Sequence, residues 1–124
     1  MAGARMRRIN EVLREVVGAA ISGDLSDPRI GFVTVTSVET SPDLRTAKVF
    51  VSVLGDEEER EATMGGLHSS RGLIQSRIAA ETRMKRTPTL TFHYDDTIEQ
   101  GVRISKLLEE EPAAGGPDAE EPDE

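Results

Sequence analysis

Apolar side chains near the N-terminus recur at intervals of three and four residues, which places them on one face of a helix. The members of this face are Ile9, Val12, Leu13, Val16, Val17, Ala20 and Ile21. Gly23 is expected to end the helix. Pro28, in the polar connection that follows, excludes its continuation because proline lacks a backbone N–H.

Two segments that follow, residues 32–38 and 46–54, are rich in Val and alternate their side chains between two faces. This pattern predicts two strands. The link between them contains Ser41-Pro42-Asp43 and is short, so the strands should pair as an antiparallel hairpin. A third strand is predicted at residues 89–94, with Leu90, Phe92 and Tyr94 on one face and His93 on the other.

Residues 57–86 carry a helical pattern that is interrupted by glycine. Leu67, Ile74 and Ile78 form one apolar stripe, and Leu73, Ala80 and Met84 lie beside it. Each of Gly65, Gly66 and Gly72 costs about 1 kcal/mol relative to alanine inside a helix. We therefore predict a helix that is kinked or broken near its middle and closed by Thr87-Pro88.

Asp96 and Glu99 match a capping box, which predicts a short last helix through Ile98, Val102 and Leu108. Up to that helix the order of elements is α-β-β-α-(kink)-α-β. Helices interleaved with three strands predict an α+β domain, with helices covering one face of a three-stranded sheet.

The formal charge of −8 is unevenly distributed. Residues 109–124 hold eight of the 23 acidic residues and no base, so residues 1–108 carry 15 acids against 15 bases. The segment 109–124 also has almost no large apolar side chain, so it cannot offset the entropy cost of ordering. We predict a folded domain at residues 1–108 and an acidic, disordered, solubilising tail at residues 109–124.

Composition favours the cytoplasm. The chain has no cysteine, as is usual for proteins kept in a reducing compartment. No apolar run approaches the roughly 20 residues that span a bilayer. The N-terminal stretch has charge but no apolar region of the kind found in a secretory signal.

The sequence offers no catalytic or metal-binding motif, and we predict no enzyme activity, no metal and no cofactor. His68 and His93 are too few and too far apart to form a metal site. Asp95-Asp96 could suggest paired carboxylates, but helix capping explains Asp96 without a further assumption. No nucleophile motif or phosphate-binding loop is present.

Basic residues cluster in two segments, and arginine forks suit phosphate. The clusters are Arg5, Arg7, Arg8 and Arg14 in the first, and Arg71, Arg77, Arg83, Lys85 and Arg86 in the second. On a straight helix Arg71, Arg77 and Arg83 point in three directions, so they form one patch only if the helix bends. The helix dipole could equally explain the last three bases. Charge alone leaves RNA binding open.

Several ungapped blocks resemble the ribosome-binding factor A family over residues 5–108. They are Met6-Arg7-Arg8-Ile9-Asn10, then Asp27-Pro28-Arg29-Ile30-Gly31-Phe32-Val33-Thr34-Val35-Thr36, Ser41-Pro42-Asp43-Leu44-Arg45, Ala47-Lys48-Val49-Phe50-Val51-Ser52, and Pro88-Thr89-Leu90-Thr91-Phe92-His93-Tyr94-Asp95. The resemblance implies a KH-like (type II-like) domain. It also implies binding to the small (30S) ribosomal subunit during late maturation, near the 5′ end of 16S rRNA, and a role in cold adaptation.

The family resemblance also suggests site residues. Many KH domains clamp RNA with a GxxG loop, but no two glycines here are spaced that way. The family's Ala-x-Gly interhelical kink corresponds to Ser70, Arg71 and Gly72, with Ser in place of Ala; Gln75 stands where relatives often carry a base. The candidate RNA-binding residues are Arg5, Arg7, Arg8, Arg45, Lys48, Arg71, Arg77, Arg83, Lys85 and Arg86.

The leading hypothesis is therefore a non-catalytic assembly factor that binds rRNA of the small subunit and is a monomer when free. The alternative is a protein–protein interaction module that docks a ribosomal or maturation protein through its sheet or through the acidic stretch Asp56 to Glu61, with its bases merely solvated.

Overall fold

The structure is a computed structural model that describes residues 2–97. Its elements are α1 (Ala2–Gly23), β1 (Val33–Thr40), β2 (Thr46–Val53), α2 (Glu57–Ser69), α3 (Arg71–Glu81) and β3 (Thr89–Tyr94). The predicted α+β order, including the kink, is confirmed. Asp96 is described, but Glu99 of the predicted capping box and the rest of the predicted last helix lie outside the described residues, as does the predicted tail.

The sheet has the order β1-β2-β3. β1 and β2 are antiparallel, as the short link predicted, and β3 runs parallel to β2 with Thr89 opposite Thr46 and Tyr94 opposite Val51. The α2–α3 pair supplies the long crossover that a parallel neighbour requires. The turn between β1 and β2 therefore lies at the same end of the sheet as the start of β3.

One face of the sheet forms the core against the helices. From the central strand, Ala47, Val49, Val51 and Val53 are buried, and Leu90 and Phe92 join them from β3. The helices contribute Leu13, Val16, Val17, Ala20 and Ile21 from α1, Leu67 from α2, and Ile74 and Ile78 from α3. The predicted helix stripe and strand faces thus meet in one core.

The first strand departs from the prediction of 32–38 in both position and periodicity. It covers Val33–Thr40, and a bulge between Val35 and Ser37 inserts one extra residue. As a result Val35 and Val38 face the core although they are three residues apart. The extra residue, Thr36, donates its hydroxyl to the Asp95 carboxylate at 2.7 Å, and the same oxygen lies 3.1 Å from the Phe50 carbonyl.

The long helical segment breaks at Ser70, which caps the end of α2 and precedes α3. The second half ends at Glu81, five residues before the predicted end at Arg86. Thr82 accounts for the early end, because its backbone is extended and its hydroxyl bonds the Ile78 carbonyl at 2.9 Å. Leu73 and Ala80, predicted beside the apolar stripe, are exposed.

Candidate nucleic-acid interface

A groove of about 710 Å³ lies at the end of the sheet that holds the β1–β2 turn. Three parts of the chain line it: the N-terminal half of α1, the turn between the first two strands, and the segment after α3. Its basic members are Arg5, Arg8, Arg83, Lys85 and Arg86. The structure thus joins residues from the two basic segments, which are about 75 positions apart in the sequence.

Packing of α1 on α3 creates this groove. The buried side chains Leu13 and Ile78 belong to the shared core and hold the two helices together. Because α3 ends at Glu81, the chain after it is free to turn, and Met84 packs back against the core while its basic neighbours are exposed. The bases at 83–86 follow the end of α3, and within residues 2–97 none of their side chains hydrogen-bonds the last carbonyls of that helix.

The floor of the groove is apolar. Ile9, Val12, Leu44 and Met84 line it. Val12 was predicted as part of the core face of α1, but it is 41% exposed because it faces the groove instead. Leu44 has a backbone φ of 63°, a left-handed conformation that is uncommon for a residue of this kind. Sequence reasoning found the turn, but no sequence signal indicated that Leu44 would line a site.

Hydrogen bonds within the turn hold Leu44 in that conformation. The Leu44 amide donates to the Ser41 carbonyl at 2.8 Å, and the Ser41 hydroxyl donates to the Asp43 carboxylate at 2.7 Å. The Arg45 amide also donates to that carboxylate at 3.0 Å. The bond from the Ser41 hydroxyl, and after it the bond from the Arg45 amide, hold the pKa of Asp43 below its ordinary value. The turn is thus a rigid wall of the groove.

Electrostatically the groove is positive. Its lining holds five bases and two acids, Asp43 and Glu81, which gives a formal charge of +3. Both acids already have partners outside the groove lining, since Glu81 pairs with Arg77 and Asp43 lies 3.7 Å from Arg45. Within residues 2–97, none of the five groove bases forms an ion pair. They are all exposed and available to an anion.

The other candidate residues lie outside the groove lining. Arg77 pairs with Asp24 and Glu81, and hydrogen bonds to these carboxylates raise its pKa. Arg71 donates to the Leu90 carbonyl at 3.3 Å. Lys48 is exposed on the outer face of the sheet, opposite Glu39 of β1. Arg7, Arg45 and Arg14 do not line the groove either, and Arg14 pairs with Glu11.

The residues at the kink have separate roles. Ser70 donates its backbone N–H to the carbonyls of Gly66 and Leu67, at 3.0 and 3.1 Å. A side-chain Cβ placed on Gly72 would meet no atom within 4 Å, so packing does not require glycine there. The close approach occurs at Gly66, where a Cβ would lie 2.7 Å from Cγ1 of Ile30. The sequence flagged Gly66 only as a helix interruption.

His68 and Asp95 are of residue types that often serve in catalysis or metal binding, but here both make structural contacts. His68 lies between the Met64 carbonyl and the Phe92 amide, and its ring meets that of Phe92 edge-on at 5.6 Å. Hydrogen bonds from the Thr97 side chain, from the Thr36 hydroxyl and from the Thr97 amide, in that order, lower the pKa of Asp95. Within residues 2–97, no group of three potential ligands converges to hold a metal ion. Every helix in the same stretch is too short or too polar to span a bilayer.

The fold and site define an α+β domain of three helices and a three-stranded sheet, with a basic groove at one end of the sheet. Residues 5–108 match the sequence profile of the family described as ribosome-binding factor A. A ribosome-binding factor A from Halothermothrix orenii is 49% identical over 104 residues, covering 84% of this chain and 85% of the relative. The chain belongs to the ribosome-binding factor A family, as the sequence blocks indicated.

Solved structures agree with this assignment. The crystal structure of ribosome-binding factor A from Thermus thermophilus is 26% identical with a TM-score of 0.65, covering 72% of this chain and 93% of that one. A homology model of the Thermus thermophilus factor, fitted into a cryo-EM map of its complex with the 30S subunit, is 27% identical with a TM-score of 0.59. That likeness covers 69% of this chain and 90% of the other. The KH-like expectation is confirmed.

Proposed function

We propose that this protein binds the small (30S) ribosomal subunit by contacting its rRNA, and assists late maturation, including processing near the 5′ end of 16S rRNA. The observation that carries this proposal is the convergence of five exposed bases from two distant segments on one groove. The Thermus relative fitted into a 30S complex supports the choice of partner.

The groove suits an RNA strand in two ways. Its basic rim can contact phosphates, and arginine forks can also stack on bases. Its apolar floor, with Val12 exposed, offers a surface for a nucleobase. Each phosphate that is neutralised releases counterions. For a single strand, the logarithm of the binding constant should therefore fall by about 0.7 per phosphate contact for each tenfold increase in salt concentration.

We further propose that binding is not accompanied by catalysis. The polar lining is limited to the five bases, Asp43, Glu81 and Thr82. The two carboxylates have cationic partners, and the Thr82 hydroxyl bonds the Ile78 carbonyl, so no nucleophile is paired with a base there. The protein would act in the cytoplasm by occupying and shaping rRNA, with its greatest importance in the cold.

The first experiment compares two exposed lysines that differ only in position. Lys85 lines the groove, whereas Lys48 lies on the outer face of the sheet. Lys85→Gln should weaken binding to immature 30S subunits and reduce the salt slope by about one phosphate contact. Lys48→Gln removes the same charge and should leave both quantities near the wild-type values.

A triple reversal tests the whole rim. Replacing Arg83, Lys85 and Arg86 with Glu should abolish most of the salt-dependent affinity for immature 30S subunits, because it changes the groove charge from +3 to −3. Affinity that stays unchanged in this variant at several salt concentrations would refute the assignment of the groove. The role in maturation is measured by primer extension of the 16S 5′ end at low temperature in cells carrying only the variant.

A second candidate function rests on an apolar pair at the opposite end of the sheet. Phe32 and Leu54 are 79% and 76% exposed, and the Leu54 amide bonds the Phe32 carbonyl at 3.0 Å. Large exposed side chains of this kind favour a protein partner on the small subunit. Co-sedimentation that survives digestion of the rRNA but is lost on Phe32→Ser would favour this function over RNA binding.

A further inference from the structure

The groove bases differ from three arginines elsewhere in the domain in their pairing. Arg14, Arg29 and Arg77 each have a carboxylate partner within hydrogen-bond distance. The five groove bases have none among residues 2–97, although they crowd one exposed cleft. Repulsion between such like charges favours an anionic occupant even before any RNA is present.

The chain itself carries a segment whose charge is opposite to that of the groove. Residues 109–124 contain eight carboxylates and no base, whereas residues 1–108 are neutral as a whole. Carboxylates pair with the same guanidinium forks that bind phosphate. We propose that the acidic segment 109–124 occupies the basic groove when rRNA is absent and competes with rRNA for it. The competition, though not the contact, depends on the proposed function.

The connection is long enough for this contact. β3 starts beside the groove and its six residues lead away from it by about 20 Å. The eleven residues 98–108 span from about 17 Å as a helix to about 36 Å as an extended chain. Residues 109–124 can therefore reach back to the groove, and short tethers of this kind give effective concentrations of about 1 mM.

The expected effect on RNA binding is moderate. If the tethered segment binds the groove with a dissociation constant of about 0.1–0.5 mM, an effective concentration near 1 mM lowers the apparent RNA affinity by about three- to tenfold. Because exposed ion pairs are screened, the effect should disappear at about 1 M salt.

The contact can be measured without RNA. The chain has no cysteine, so Gly116→Cys in the full-length protein gives one site for a nitroxide spin label. At low salt the label should broaden the NMR signals of Val12, Leu44 and Met84, which line the groove. Replacing the eight acids of 109–124 by their amides should restore those signals. Absent broadening, or equal broadening of the α2 amides, would overturn the proposal.

Competition is tested with two full-length variants of equal charge change. Glu109, Glu110 and Glu111 are replaced by Gln in one, and the exposed Glu57, Glu58 and Glu61 of α2 in the other. With a 12-nucleotide single-stranded polyuridylate as probe, the first variant should bind about two- to fivefold more tightly than wild type, and the second should change little. An equal gain in both would reveal a general charge effect and overturn the competition. If no protein binds the probe, the proposed function fails, while the spin-label result still decides the contact.

Discussion

Gly66 and Gly72 provide a direct test of where the α2–α3 pair is tightly packed. Both lie in helices without a positive φ, so alanine is compatible with the backbone at each position. Alanine at Gly72 meets open space, whereas alanine at Gly66 would place its Cβ 2.7 Å from Ile30 Cγ1 and 3.4 Å from the Asp27 carboxyl group. The same substitution should therefore have opposite effects at the two positions.

The magnitudes follow from two contributions. Replacing glycine by alanine inside a helix stabilises by about 0.5–1 kcal/mol, because less backbone entropy is lost on folding. At Gly66 this gain is opposed by overpacking, which costs about 1–3 kcal/mol in a well-packed site. Ile30 cannot simply swing aside, since it packs against the core at the end of a short hydrogen-bonded turn. We expect Gly72→Ala to stabilise by about 0.5–1 kcal/mol and Gly66→Ala to destabilise by about 1–2 kcal/mol.

Urea unfolding followed by circular dichroism measures both free energies, and equal m-values would show that the change lies in stability. For a domain of this size, 1 kcal/mol corresponds to a shift of about 4–8 °C in Tm. The reasoning is refuted if Gly66→Ala is as stable as wild type, or if Gly72→Ala loses stability. The second result would show that Gly72 itself sets the interhelical angle.

Three further predictions concern polar contacts. Asp27, whose pKa is lowered to about 2 by hydrogen bonds from Arg29, stabilises the fold above its ordinary pKa of 3.8 and loses this effect as the pH falls through about 2. Thermal melts of Asp27→Asn should therefore differ most from wild type at neutral pH and converge toward pH 2. Thr63 is buried, accepts from the Gly31 amide at 3.2 Å and donates to the Arg29 carbonyl at 3.3 Å, so Thr63→Val should cost about 1–3 kcal/mol of unfolding free energy in urea. Arg77→Ala should lower thermal stability but keep the salt slope of RNA binding.

Each of these has an outcome that contradicts it. A constant stability difference for Asp27→Asn between pH 7 and pH 2 would show that the carboxylate charge does not contribute. Wild-type stability of Thr63→Val would mean that water satisfies the freed backbone groups. A salt slope in Arg77→Ala reduced as much as in Lys85→Gln would place Arg77 at a phosphate.

The sequence was sufficient to predict a helix or strand wherever the local apolar pattern coincides with the residues that the core buries. The spacing of Leu13, Val16 and Val17 predicted the buried face of α1, and alternation through Leu90 and Phe92 predicted β3 with its bounds. Glycine in the long helical segment predicted a break, because its cost depends on the backbone alone. The family resemblance likewise followed from the sequence blocks and was confirmed.

Other features depended on contacts between distant residues and could not be read from local patterns. The bulge at Thr36 and the early end of α3 at Thr82 are set by side-chain hydrogen bonds to the backbone, which periodicity does not record. The tight approach at Gly66 is decided by where Ile30 packs, which the glycine count does not record.

The charged residues show most plainly which features follow from the sequence and which depend on the folded structure. The sequence was enough to show that residues 109–124 hold eight acids and no base, and that nine of the 15 bases lie in two segments. It took the folded structure to show that Arg5 and Arg8 share a groove with the bases at 83–86, and that Arg77 is held by carboxylates. The reason is physical: electrostatic potential depends on distance in space, and the distance between these residues is fixed by the packing of α1 on α3.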